Sequence, residues 1–478
     1  MHIKHRASQF IFKNSLTLVL GLLLVPFIIF FFFVYPVYDD YWYAEVVRIN
    51  GFLKAQVWWR ENATGRFLTT VIISISNTTV HSVVAHRLLL GCIAAFFLYS
   101  VWFLLFNFFN RFLSFSTNNL YFTYILFLFS FFYTLPGISQ VLYWLPGAAT
   151  YLVGLIFMNI VAGLLLHKNK MNKMSNVIFI SFFSVCACGT SELSGLCIAG
   201  MLVIRTFFSS DHSDSSRKKY FSVYFFLLVG ILLFLYFVVV RAPGNEVRFQ
   251  LEKQVNPSAG NFAFACQSAL ISTLKFIYNL LFVKRLLLLL GPLIIWVIIN
   301  DIKPIVTISS FTPNIIRVLI LVQFVILSFT YFSLFTYLYS TGLSTPIQRI
   351  LALIHYVWVL NIIACGLCFG FLLKLKLLHY VFLLKDIFGI ALLIFVVLLF
   401  SAPQTNAIPV LNDFSKRKLI NYDSYMKKQR FLLRNCDVDK LKQQAPPQQP
   451  LIFVWDLSDE KFKTRYMAYY KNVLCEVQ

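Results

Sequence analysis

The sequence predicts an all-α polytopic membrane protein with about eleven transmembrane helices. Three observations carry that prediction. Of 478 residues, 59% are hydrophobic and only 13% are charged, against about 25% charged in ordinary soluble domains. Apolar runs that approach the roughly 20 residues needed to cross a bilayer recur along the chain. The lysines and arginines lie in short clusters between those runs, so the net charge of +22 reads as a topology signal and no nucleic-acid partner is expected. The 53 phenylalanines suit lipid-facing helices, because Phe inserts favourably.

Taken in order, the runs are Ser15–Tyr35, His86–Phe109, Leu120–Leu135, Thr150–His167, Asn176–Cys188, Leu193–Phe208, Tyr220–Val240, Leu286–Asn300, Pro313–Leu338, Ile350–Leu373 and Leu378–Phe400. The first is too long for a cleaved signal peptide and lacks a small-residue cleavage site after it. Its basic approach (Lys4, Arg6, Lys13) puts the N-terminus in the cytoplasm. The connections NRFLSFSTNN, HKNKMNKMSN, SSDHSDSSRKKY, NDIKP and KLK all carry Lys or Arg, and all fall on that same side if the count is odd. The stretch from Asn261 to Leu290 is too weakly patterned to decide and can change the count by one.

The opposite connections hold the chemistry-bearing residues. Asp39 and Asp40 emerge directly beyond the first span, where each charge is costly near lipid, so the pair is a functional candidate; a solvated turn is the plain alternative. The first outer loop, 39–85, mixes Trp, Phe and Leu with charges, as interfacial helices do. Pro136–Thr150 is bounded by Pro-Gly pairs and reads as a re-entrant turn, and the Pro-Gly-Asn after Arg241 as a tight turn. Glu192 lies between apolar runs with no basic neighbour in sequence, so it needs a partner or a polar cavity. His81 and His86, just before the second span, read as interfacial rather than catalytic.

The tail from Ser401 to Gln478 is charged and punctuated by Pro, with LIFVW a strand candidate and DEKFKTRYMAYY a helix candidate. Residues 1–400 thus form a transmembrane domain and 401–478 a small extracytoplasmic α/β domain. Cys436 and Cys475 are the tail's only cysteines; a disulfide and two free thiols both stay open. The other seven cysteines sit mostly in apolar runs, without metal-site spacing.

The ordered segments DDYWYAE, ENATGRFLT, YWLPGAATYL, TSELSGL, RAPGNEVR, STPIQRIL and WDLSDEKFKTRYMAYY together resemble the GT-C superfamily of integral membrane glycosyltransferases. The likeness is to its bacterial glucosyltransferase II-like branch. It implies a GT-C-like fold at the bacterial cytoplasmic membrane and an inverting sugar transfer from a polyprenyl-phosphate carrier, at the outer face, to a glycan or lipid acceptor. Acidic residues in the first outer loop then do the chemistry, as Asp39 and Asp40 are placed to do, with Glu192 beside them.

Such a transfer needs a carboxylate to take the acceptor proton and cations to stabilise the leaving phosphate. Arg66, Arg241, Arg248 and Arg349 are the outer-face arginines for that role, though each is also a plain headgroup anchor. Trp144 and Asn245, from two of the motifs, complete the substrate-binding set. Asp39 is favoured over Asp40 as general base because it lies nearest the membrane plane. A divalent cation on either aspartate stays open, since hard cations prefer carboxylate oxygens, but no full ligand set is legible. A lipid-linked-sugar flippase or other transporter is the alternative. It would place charges within the spans and repeat a half, and neither feature is found.

Overall fold

The computed structural model describes residues 2–114, 116–167, 174–207, 215–300, 303–304, 312–377, 381–434 and 450. Most of these are helical, and the one ladder among them pairs Leu113–Ser114 antiparallel with Lys303–Pro304. Helix α1 (His2–Phe30) is followed by four short helices: α2 (Tyr38–Asn50), α3 (Phe52–Asn62), α4 (Phe67–Ser74) and α5 (Ser76–Thr79). Then come α6 (Val83–Phe112), α7 (Thr117–Thr134), α8 (Ile138–Leu142), α9 (Leu145–Gly147), α10 (Val153–Leu166), α11 (Met174–Thr190), α12 (Glu192–Phe207) and α13 (Ser215–Val240). The chain continues through α14 (Pro243–Val255), α15 (Phe262–Tyr278), α16 (Leu290–Ile299), α17 (Thr312–Thr341), α18 (Leu351–Leu377), α19 (Val381–Phe400), α20 (Ala407–Ser415) and α21 (Lys418–Arg434).

Apolar residues all round a helix require burial on all sides, and α7 shows it. From Leu126 to Thr134 every residue is buried, and Phe127, Phe131 and Tyr356 of α18 interlock at 5.4–5.9 Å between ring centroids. The outer helices do the reverse and expose Leu227, Phe234, Ile320, Phe324 and Leu393. A belt of that kind is stable only against lipid. Among the described residues, six helices are long and apolar enough to span a bilayer, with five shorter apolar ones beside them. The chain is a helical membrane protein. One of the six, Phe262–Val283, falls in the stretch where the sequence pattern was weakest.

Contacts sort the helix ends into two groups. The ladder and the Lys374 Nζ bond to Asn300 O (2.6 Å) gather 113–114, 300–304 and 374 at one end. The opposite end holds the C-terminus of α7, whose last carbonyls have no intrahelical partner. Asn406 Nδ2 donates to Phe132 O and Leu135 O, its backbone N–H to Tyr133 O, and Lys284 Nζ to Thr134 O at 2.5 Å. A cation there also meets the negative end of the helix dipole. The first part of the tail forms α20 and α21, pinned to the body. Asp423 accepts from Tyr35 Oη (2.8 Å) and Arg87 (3.4 Å), and Arg430 donates to Val80 O and His81 O. The strand and helix expected after residue 450, and Cys436 and Cys475, lie outside the described residues.

Two outer segments differ from the turns read in the sequence. Pro136–Thr150 contains α8, α9 and the start of a π-helical turn, Ala148–Leu152. The Pro-Gly-Asn after Arg241 opens α14, because Pro at the first helical position fits its fixed φ and needs no N–H there.

Candidate functional site

Neighbouring residues on a helix point about 100° apart, so the first turn of α2 divides the aspartate pair. Asp40 turns inward: it is fully buried and its Oδ2 accepts the Val37 backbone N–H at 2.7 Å. That is the carboxylate half of a capping box. Burial raises the Asp40 carboxyl well above the ordinary range; the Val37 bond opposes this and the Asp39 charge adds to it. Asp39 is half-buried and lies one turn before Tyr43 on the same helix face.

Tyr43 is the hub of the site. Its phenol is in electrostatic reach of Asp39, Arg248, Arg349 and Arg66, four residues from four segments. Burial, with the Asp39 charge, pushes the phenol upward against the pull of the arginines. A small aromatic core fixes it: Trp59 is fully buried, with Tyr43 at 4.6 Å, Trp58 at 4.8 Å and Trp42 at 5.1 Å between centroids. These rings clamp α2 to α3 and hold Asp39 on a rigid support.

Arg66 is delivered by the turn Ala63–Arg66, and two glycines make the approach. A Cβ on Gly65 would strike Val239 O and come within 2.7 Å of Ala242 Cβ. One on Gly244 would strike Ala63 N and lie 2.8 Å from Thr64 N. The end of α13 and the start of α14 therefore interlock with the turn, backbone against backbone. Thr69 Oγ1 donates to Thr190 O at 2.9 Å and ties α4 to the end of α11.

Glu192, in the first turn of α12, is met by this tie. Arg66 Nε bonds both of its carboxylate oxygens at 3.0 Å and Nη2 lies 3.0 Å from Oε2. The side chains are 28% and 18% exposed. Burial alone would raise the Glu192 carboxyl, but Arg66, with Arg248 further off, holds it below the usual range. The partner that the sequence demanded of Glu192 is Arg66.

Arg349 lies over the Trp144 ring at 5.1 Å, and the ring is buried. Arg248, on α14, reaches both Glu192 and Tyr43 electrostatically. Neither Arg248 nor Arg349 forms an ion pair among the described residues. Two residues stand apart. Arg241 stacks on Phe237 at 5.4 Å, and Asn245 Nδ2 donates to Val239 O (2.7 Å) and Val240 O, capping the end of α13. Their observed contacts are structural.

Three further residues belong to the cluster. Tyr151 sits in the π-helical turn within reach of Arg66, and Tyr337 is within reach of Arg349, Tyr151 and Glu252. π-turns often mark functional positions, but nothing in the sequence betrays this one. Tyr43 was legible, four residues after Asp39, and Glu252 becomes legible once 243–255 is seen as a helix carrying Arg248 four residues earlier.

Of the two aspartates open to a divalent cation, Asp40 is badly placed for one, since its carboxyl is buried and its Oδ2 accepts from Val37, whereas Asp39 is only half-buried. Among the described residues no three His, Cys, Asp or Glu side chains gather to hold one. The arrangement suits an anion: two guanidinium groups with no ion pair among the described residues, and a phenol, beside a half-exposed carboxylate. No protein-family model, curated protein or solved structure matches the chain.

Proposed function

We propose that the protein is a membrane glycosyltransferase that moves a sugar from a polyprenyl-phosphate carrier to a surface glycan or lipid acceptor, with inversion. The observation that carries this reading is the pair Arg248 and Arg349, with no ion pair among the described residues, set around Tyr43, one turn from Asp39. Asp39 accepts the proton of the acceptor hydroxyl as its oxygen bonds to the anomeric carbon. The bond from that carbon to the phosphate oxygen breaks, and the charge left on phosphate falls to Arg248 and Arg349, with Tyr43 as a further donor. Arg66 and Glu192 neutralise one another and stiffen the wall of the site.

The same reading sets the topology. Eleven passes, with α14 and α15 belonging to the excursion between the seventh and eighth, put the N-terminus in the cytoplasm. Phe262–Val283 is long and apolar enough to span, but the bonds at its two ends, Gly260 N–H to Tyr339 O and Lys284 Nζ to Thr134 O, support the excursion. The site and the tail then face outward from a bacterial cytoplasmic membrane. The grouping of Thr134, Lys284, Ser401 and Asn406 at one end supports an odd count. The deciding experiment is Asp39→Asn in the native host and in purified protein. Transfer to surface glycan falls by ~100-fold or more while the protein stays folded. Near-normal transfer removes Asp39 from the reaction. An alkaline phosphatase fusion after Asn412 is active, and an inactive fusion of well-inserted protein refutes the topology.

A further inference from the structure

Helix α14 divides into three sectors when its residues are placed about 100° apart. Asn245, Phe249, Glu252 and Asn256 form the body-facing sector: Phe249 stacks on Tyr339 of α17 and lies against Gly260, and Asn245 caps α13. Glu246, Gln250, Lys253 and Gln254 form an exposed polar sector. Between these two lies an exposed apolar sector, Val247 (43%), Leu251 (56%) and Val255 (77%).

A helix with protein on one side needs only one more polar face if the rest of it meets water. A third, apolar sector requires another environment. The lipid belt supplies it by continuity. Phe237 and Val240 of α13, just before α14, and Phe262 of α15, just after it, are exposed apolar side chains as well. The neighbouring α3 adds Leu53 and Val57 in one exposed row, flanked by the exposed cations Lys54 and Arg60, whose stems can lie along lipid. We infer that α14 rests on the membrane surface beside the site, with Val247, Leu251 and Val255 in the acyl boundary of the bilayer and α3 extending the same edge. Arg248 then stands at the seam between the lipid-facing sector and the site, at headgroup depth. The occupant is bilayer lipid, and the inference does not depend on glycosyl transfer.

The test places a nitroxide on a genetically encoded ketone side chain at 247, 251 or 255, and at 246, 250 or 254. The full chain is held in nanodiscs of phosphatidylethanolamine and phosphatidylglycerol. Collision with oxygen exceeds collision with a water-soluble nickel chelate at 247, 251 and 255, and the order reverses at 246, 250 and 254. Equal nickel access at all six overturns the proposal. So does low access to both reagents at 247, 251 and 255, which would show a protein partner or a second copy covering the stripe. Leu251→Asp tests the same point: with near-UV dichroism unchanged, the oxygen preference at 247 and 255 is lost. An unchanged preference in that variant counts against insertion of the stripe. No outcome draws on turnover, so failure here is distinct from failure of the transferase reading.

Discussion

Glu192→Gln should be costly because it strands Arg66. The guanidinium makes contacts of 3.0 Å to both carboxylate oxygens, with about a quarter of its side chain exposed. Two unit charges about 4 Å apart attract by about 4 kcal/mol at an effective dielectric constant of about 20. Water at the exposed edge roughly halves that, leaving a coupling of about 2 kcal/mol. The single variant loses somewhat more, about 2–3 kcal/mol, since the remaining charge stays partly desolvated without a partner. The assay is a double-mutant cycle of Glu192→Gln, Arg66→Gln and both, read by reversible unfolding in detergent micelles. The double variant should be less destabilised than the sum of the singles by about 2 kcal/mol. Additive losses would refute the reasoning, because they would mean that the pair is effectively solvated and does not stiffen the site. A second readout separates roles. Glu192→Gln adds net positive charge near Arg248 and should tighten binding of inorganic pyrophosphate several-fold, by about 1 kcal/mol.

Three further outcomes follow from the same contacts. Because burial raises the Asp40 carboxyl, its protonated form is the one the fold prefers; that stability is full below the ordinary carboxylate range and is lost as pH rises through the folded value. Asp40→Asn keeps the oxygen facing Val37 without the charge, so it should leave acid stability unchanged and flatten the loss at higher pH in thermal melts; a steeper loss would contradict it. Gly244→Ala should destabilise by about 1–3 kcal/mol through the clash with Ala63 and Thr64, and weaken pyrophosphate binding by displacing Arg248; wild-type values for both would refute the interlock. Lys284, pushed down to about 8 by burial, binds its proton less well folded than unfolded, so stability should climb between pH 8 and the ordinary lysine range. Lys284→Met should abolish that rise; an identical slope in the variant would show that the ammonium is solvated.

The parts of this protein that were legible in its sequence are those set by solvent. Lipid on one side and water on the other leave a pattern one residue at a time, which is why the apolar runs and the basic connections can be read directly. Charge placement is legible for the same reason: an acidic residue between apolar runs, such as Glu192, needs a partner, and an arginine on the same face is the natural one. What could not be read is which arginine. Arg66 is chosen by the close approach of Gly65 to the end of α13 and of Gly244, at the start of α14, to Ala63 and Thr64, and no local pattern records a meeting across so much chain. The two aspartates show the limit from the other side. Their spacing says that they point apart, yet only packing decides which one is buried as a helix cap and which faces Tyr43. Arg241 and Asn245 share a motif with Arg248 but not its surroundings, because α14 starts at Pro243. The turn becomes a helix, and the residues before and after its first turn are sent to different faces. A motif read as a string treats those residues as one unit. The helix separates them, and of the three only Arg248 reaches Glu192 and the Tyr43 phenol, where its guanidinium can meet an anion.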